Sequence, residues 1–152
     1  MLVPRNKIAT LANRLRRDGK RVVFTNGVFD ILHRGHVGYL AKAKAYGDVL
    51  IIGLNSDRSV RRLKGRLRPI QSQRDRAEVL LALRSVDYVV VFDEDTPDRL
   101  IEQVRPDVLV KGADYELTQI AGAGFVRSYG GKVRRVRLVP GRSTSKILRR
   151  MG

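Results

Sequence analysis

From Val49 to Leu54 the chain reads Val-Leu-Ile-Ile-Gly-Leu, with no polar side chain. A strand with one wet face alternates polar and apolar residues. An unbroken apolar run of this length marks a strand covered on both faces, as in a parallel sheet between two helical layers. The flanking sequence supplies the layers. Arg5 to Arg17 predicts a helix with Ile8, Leu11, Ala12 and Leu15 on one stripe, stopped by Gly19. Val37 to Tyr46 predicts a second, ended by Gly47. Ser72 caps a third that runs through Leu83. Thr96 as N-cap and Pro97 at the first position start a fourth towards Val104. Thr118 to Tyr129 predicts a fifth despite Gly122 and Gly124, and Ser143 caps the last. Between them lie strands at Arg21–Thr25, Tyr88–Phe92, Val108–Val110 and Val133–Leu138, the last in spite of its three arginines. This alternation predicts an α/β fold with a parallel sheet and right-handed crossovers. No linker or repeat divides residues 1–152, so one domain is expected. Ligands of such sheets bind beyond the carboxyl ends of the strands, which directs attention to the loops after Thr25, Leu54, Val110 and Leu138.

Composition narrows the chemistry. The chain has no cysteine, which excludes disulfides, thiolate metal sites and a cysteine nucleophile. No apolar run approaches the ~20 residues of a membrane span. The charged start lacks the apolar stretch of a secretory signal, so a cytoplasmic location is expected. Lys and Arg number 31 against 15 Asp and Glu, a net charge of +16. The excess is uneven: no acid follows Glu116, while nine basic residues do. Such asymmetry fits an anionic partner: nucleic acid, a membrane surface or phosphorylated small molecules. It fits a solvated basic surface equally well.

Both histidines of the chain fall in one turn after the first strand, in Thr25-Asn26-Gly27-Val28-Phe29-Asp30-Ile31-Leu32-His33-Arg34-Gly35-His36. Gly27 and Gly35 permit tight turns and close approach of a phosphate to the backbone. The following helix N-terminus favours negative charge, and imidazoles placed there can donate to phosphoryl oxygens. Three other readings compete: structural histidines, a thin metal site of His33, His36 and Asp30, and a serine hydrolase. For the last, Gly141-x-Ser143-x-Ser145 lacks the final glycine of the nucleophile elbow, and the histidines precede the serine. There is no Walker A loop, and Gly122-Ala123-Gly124 fails as a dinucleotide fingerprint because Arg127 replaces the third glycine. Gly141-Arg142-Ser143-Thr144-Ser145-Lys146 offers hydroxyls and free amides for a second anion site. Lys111-Gly112-Ala113-Asp114-Tyr115 ends a strand, with Gly112 for close approach and Asp114 as an acceptor for a ribose or base. Asn55-Ser56-Asp57 ends the apolar strand, and Lys64 beside Gly65 is the cation best placed to clamp phosphate.

Together these segments resemble the nucleotidyltransferase superfamily marked by His-x-Gly-His, related in fold to class I aminoacyl-tRNA synthetases. Within it the sequence is most similar to the ADP-heptose synthase adenylyltransferases. The shared text includes Asn55-x-Asp57-x-Ser59-Val60-x-Arg62-Leu63-Lys64-Gly65, Arg68-Pro69-Ile70 and Asp75-Arg76-Ala77. It continues through Glu94-Asp95-Thr96-Pro97, Val110-Lys111-Gly112-x-Asp114-Tyr115 and Val139-Pro140-Gly141-x-Ser143-Thr144-Ser145. The resemblance implies a Rossmann-like sheet of about five strands with helices on both faces. It implies transfer of AMP from ATP to D-glycero-D-manno-heptose 1-phosphate, giving ADP-heptose and pyrophosphate. His33, His36 and Lys64 would be catalytic. Gly27, Val28, Phe29, Gly35, Lys111, Gly112, Asp114, Gly141, Ser143, Thr144 and Ser145 would bind the nucleotide. Asp30, Asn55, Asp57 and Arg76 would bind the sugar phosphate. Mg²⁺ would arrive with ATP, with no protein ligands of its own. A homodimer is implied as well. Val28 stands where the heptose enzymes often have cysteine, and Leu138-Val139 replaces the Arg-Thr pair of many superfamily members. The kinase half of the bifunctional enzymes is absent, so a separate heptose kinase supplies the substrate, or the chain is a fragment. The alternatives are a related enzyme acting on glycerol 3-phosphate with CTP or on FMN with ATP, and a basic nucleic-acid-binding module. Against the last, the basic segments carry few aromatic residues for stacking.

Overall fold

The apolar run becomes the second of five parallel strands. A computed structural model describes residues 1–138 and 144–151. The strands are β1 (Val22–Gly27), β2 (Val49–Asn55), β3 (Tyr88–Phe92), β4 (Val108–Gly112) and β5 (Lys132–Val136), in the order β3-β2-β1-β4-β5. Every residue of β2 is buried, as its composition requires. β1 pairs with β2 from Val22↔Val49 to Gly27↔Leu54, and with β4 through Val23↔Val108 and Phe24↔Leu109.

Seven α-helices accompany the sheet: α1 (Ile8–Arg17), α2 (Arg34–Lys44), α3 (Asp57–Lys64), α4 (Gln73–Leu81), α5 (Asp98–Val104), α6 (Ala123–Ser128) and α7 (Thr144–Met151). Side-chain alternation along each strand divides the core in two. On one face Val22, Phe24, Ile51 and Leu109 pack with Leu11 and Leu15 of α1, Ile101 of α5 and Val126 of α6. On the other, Val23, Leu50, Ile52 and Val110 pack with Leu40 of α2 and Leu80 of α4. The connections step outward from β1 to β2 to β3, then α5 carries the chain back across β1 to β4. The winding therefore reverses between β1 and β4, where a Rossmann-like sheet opens its crevice.

At the opposite end of the sheet, carboxylates close the strand starts. Asp48, Asp87 and Asp107 accept from the N–H groups of Arg21 (2.7 Å), Leu50 (2.8 Å) and Val22 (2.7 Å). Outside β3, Val3 N–H donates to the Val89 carbonyl (2.8 Å) and Val89 N–H to that of Met1 (3.1 Å).

Four local expectations are revised. Residues 57–64 form a helix that was not expected: it has only two apolar residues, Val60 and Leu63, and buries only Ser59 and Val60. Ser56 caps it by accepting from Ser59 N–H (3.1 Å). The expected helix over 118–129 splits into a 3₁₀ turn, Leu117–Gln119, and the short α6. Gly122 breaks it, with φ +81° and the Ile101 side chain 2.6 Å from where a Cβ would stand. α5 starts at Asp98 with Pro97 in the N-cap position, so Thr96 does not cap it. The first helix opens as a 3₁₀ turn over Arg5–Lys7. The arginine-rich strand is real, and its place at the sheet edge leaves Arg134 and Arg135 exposed.

Gly53 in β2 is a close-approach position: a Cβ there would lie 2.8 Å from Phe24 Cζ and 3.0 Å from Leu100 Cδ2. Gly53→Ala is expected to destabilise the fold by about 1–3 kcal/mol through overpacking. Urea unfolding checks this as a lower midpoint at unchanged slope.

Candidate active site

The turn after β1 is shaped by one strained residue. Phe29 has φ +48°, a left-handed backbone that costs a bulky side chain energy. That backbone lays its ring over Gly27, where a Cβ would come within 2.9 Å of it. The ring then meets His36 edge-on, with centroids 5.4 Å apart at 62°. His36 in turn stacks on His33 at 3.9 Å and 28°. Gly27 has no side chain because Phe29 occupies that space, and Phe29 orients the histidines.

The two imidazoles also cap α2. His33 Nδ1 accepts from Gly35 N–H (3.1 Å), and His36 Nδ1 faces His33 N–H at 3.4 Å. The arrangement is a capping box built from histidines rather than a hydroxyl and a carboxylate. With each Nδ1 turned to a backbone N–H, a neutral ring carries its proton on Nε2 and donates from there. Burial first, and the neighbouring His33 second, push the His36 imidazole down to about 4.

Asp30 and Arg76 hold the surrounding turns. Asp30 is buried and accepts from the N–H groups of Ile70 (2.9 Å) and Gln71 (3.0 Å) and from Arg68 Nε (2.8 Å). Burial pushes its carboxyl up, but those N–H groups and the guanidinium outweigh burial and hold it below the usual value. Arg76, also buried, donates through Nη1 to the Val28 and Asn55 carbonyls (2.8 Å each), through Nε to Gln71 O (3.1 Å) and through Nη2 to Asp57 Oδ1 (2.8 Å). The ends of β1 and β2, the start of α3 and the 68–71 turn are thereby one unit.

Beyond β4, Lys111 Nζ donates to the Asn26 carbonyl at the end of β1 (3.1 Å) and lies 5.0 Å from the Tyr115 ring centroid. Burial lowers its ammonium to about 8 against a raising contribution from Asp114. Asp114 folds back over Gly112, where a Cβ would come within 2.5 Å of Oδ1. Beneath, Tyr39 Oη and Thr25 Oγ1 share a hydrogen bond (2.8 Å).

These groups surround a crevice of two adjoining lobes. The larger, about 590 Å³, reaches from the β1 turn to Asn55, Lys64 and Arg68, and to Thr144 and Ser145 at the start of α7. The smaller, about 180 Å³, is bounded by Tyr39, Gly112, Asp114 and Leu138. Gly27, Val28, Phe29, His36 and Lys111 line both. Asp30 lines the larger lobe, and Thr144 Oγ1 donates to the Ile31 carbonyl (3.1 Å). His33, Gly35, Asp57 and Arg76 stand behind the lining and support it. Gly141 and Ser143 lie outside the described residues. Sequence reasoning gave no site role to Arg68, the 95–97 loop, Gln119 or Ala121, all of which line the larger lobe. The loop after Phe92 follows a parallel strand like the others and faces the crevice for the same reason. Among the described residues no three His, Asp or Glu side chains converge as a metal site.

The cytidylyltransferase-like family model matches residues 24–148 of the chain. The chain belongs to the cytidylyltransferase-like family. Among curated relatives, proteins named bifunctional protein HldE are 59% identical over 136 residues in Syntrophotalea carbinolica and 55% identical over 150 residues in Wolinella succinogenes. The matches cover 90% and 99% of this chain but 28% and 31% of those proteins, so the chain spans under a third of their length. The crystal structure of a lipopolysaccharide core biosynthesis protein from Thermoplasma volcanium is similar, with TM-score 0.65 and 30% identity over 80% of this chain and 98% of that one. A pantoate-beta-alanine ligase from Francisella tularensis shares the fold, at TM-score 0.67 and 16% identity, over 95% of this chain and 69% of that one. This cytidylyltransferase-like chain is thus an enzyme of the nucleotidyltransferase type. Among the described residues, no helix is long and apolar enough to cross a membrane.

Its histidine turn makes stability depend on pH. His36 is neutral in the fold down to about 4 but protonates near 6.5 when exposed, so the unfolded chain binds more protons between those values. The contribution is complete above pH 6.5 and lost as pH falls towards 4. Glu94, held to about 2 chiefly by Arg5, and Asp30 titrate below that window. Lowering pH from about 7 to 5 is expected to cost the wild type more in Tm than it costs His36→Gln. Equal losses in thermal melts would contradict the assignment.

Proposed function

We propose that the chain is an adenylyltransferase that transfers AMP from ATP to D-glycero-D-manno-heptose 1-phosphate, giving ADP-heptose and pyrophosphate. The observation that carries the reading is the pair of adjoining lobes meeting at His36, beside a helix N-terminus and two lysines. Two ligands bound there would touch at the imidazole. The heptose acceptor is supported by the Lys111-Gly112-x-Asp114-Tyr115 segment, by relatives named HldE and by the likeness to a lipopolysaccharide core biosynthesis protein.

The sugar phosphate is ionised at neutral pH, so attack needs no strong base. One of its oxygens attacks the α-phosphorus in line, and the bond to the β-phosphate oxygen breaks. The electron pair leaves with pyrophosphate. Catalysis then rests on positioning and on donors aimed at developing charge. His36 donates from Nε2 with His33 stacked against it, and Lys64 neutralises phosphate oxygens. Gly27, Val28 and Phe29 let the triphosphate approach the first turn, while Gly112 and Asp114 contact the nucleoside. Thr144 and Ser145 bind its outer phosphates with Gly141 and Ser143. Asn55 contacts the sugar phosphate. Asp30, Asp57 and Arg76 act on that substrate by holding the turns around it. Mg²⁺ comes bound to ATP and screens its phosphates, which suits a crevice whose one buried carboxylate, Asp30, is already held by three donors. A kinase, whether joined to this chain or separate from it, supplies the sugar phosphate, and the proposed assembly is a homodimer.

Pyrophosphate release is the test, with ATP and CTP offered against both anomers of heptose 1-phosphate, glycerol 3-phosphate and FMN. Release with ATP and one heptose anomer is expected. Selective turnover of another acceptor would overturn the substrate assignment. His33→Ala and His36→Ala are each expected to lower kcat by at least ~100-fold with the fold retained. Near-full activity in both would overturn the mechanism.

A further inference from the structure

Three cations line the crevice, and they are not equivalent. Lys64, Arg68 and Lys111 border the larger lobe, beside the neutral imidazole of His36. Lys64 and Arg68 do not reach the smaller lobe. Arg68 also gives its Nε to Asp30. Lys111 alone among the lysines and arginines described lines both lobes, opposite the same β1 turn that His36 faces. Its ammonium has three N–H donors. Among the described residues one is taken, by the Asn26 carbonyl, and no carboxylate forms an ion pair with it. An enclosed ammonium serving only to tie two strand ends would bear a desolvation cost that a neutral amide avoids.

We infer that Lys111 is a catalytic residue, donating to the non-bridging oxygens of the phosphoryl group in transfer, rather than a contact to the nucleotide alone. The argument rests on the two-substrate reading above, but not on which lobe takes which substrate. Wherever the nucleoside lies, the reacting phosphorus sits where the lobes join, and Lys111 and His36 are the donors at that place. As the acceptor oxygen closes on the α-phosphorus and the bond to the β-phosphate oxygen opens, charge shifts onto the equatorial oxygens. Lys111 meets it with N–H groups already in position and gives up no proton. The lowered affinity of its ammonium for a proton fits a group held short of its counter-ion until phosphates arrive.

The experiment compares wild type, Lys111→Met and Lys111→Arg in full steady-state kinetics, with ATP affinity by calorimetry and folding by thermal melts. Lys111→Met is expected to lose at least ~100-fold in kcat while the ATP dissociation constant and both KM values stay within about threefold. Lys111→Arg should recover at least ~10-fold over it, since charge and donors are kept. An unchanged kcat in a wild-type background that does release pyrophosphate would overturn the role of Lys111 alone. So would a loss confined to ATP affinity, which would mark a ground-state contact. Silence of the wild type with every acceptor would instead bring down the two-substrate reading and this inference with it. Should Lys111→Met fail to fold, Lys111→Gln keeps a donor for the Asn26 carbonyl and is judged by the same split of kcat against KM.

Discussion

The reversal of winding beside β1 is the constraint from which the site follows. A right-handed crossover lays each helix over the sheet it has just left. Successive crossovers in one direction would cover every strand end in turn. When α5 returns the chain across β1 to β4, the carboxyl ends of β1 and β4 are left with loops on either side and no helix between them. Asn26 and Lys111 meet there because their strands are neighbours in space while 85 positions apart in the chain. Local chemistry then fills the opening. The strained Phe29 orients one imidazole, the imidazoles cap the helix, and the helix N-terminus faces the crevice.

The charged groups of the site fall into two kinds. Asp30 and Arg76 are buried and fully engaged with backbone groups and with each other's turns. Charges of this kind are costly to enclose unless every hydrogen bond is made, and here they convert four loose segments into a frame. Lys64 and Lys111 are held more lightly and keep donors for a ligand. A rigid frame around under-satisfied cations is the arrangement expected where positioning, rather than proton transfer, lowers the barrier.

Most of the fold was legible in the sequence because its signals are local. The apolar run of β2, the Ser72 cap and the stripe of α1 each require only a few adjacent residues. What escaped was hidden by charge or settled at long range. α3 carries only two apolar residues, Val60 and Leu63, and its buried side is Ser59 and Val60. The break at Gly122 depends on Ile101, which no local pattern announces. In the site, Gly27 and His36 stood out as residue types suited to phosphate, Phe29 and Lys111 came from the resemblance, and all four meet at one crevice. Arg76 was assigned to the sugar phosphate from the resemblance, yet its charge is spent on carbonyls at the ends of two strands. Only the folded chain brings those carbonyls together.

The two margins of the sheet are finished differently. Outside β3 the chain's own residues 1–3 occupy the backbone groups of Val89. Outside β5 no strand is described, and Lys132, Arg134 and Arg135 are exposed along it. An open margin of that kind is a template on which another molecule's strand can assemble. Two copies meeting margin to margin would bring three cations from each into one narrow seam, and repulsion would part them. Part of the large positive charge therefore lies along a sheet margin, on residues that do not line the crevice. Charge at such a margin disfavours pairing with another edge strand.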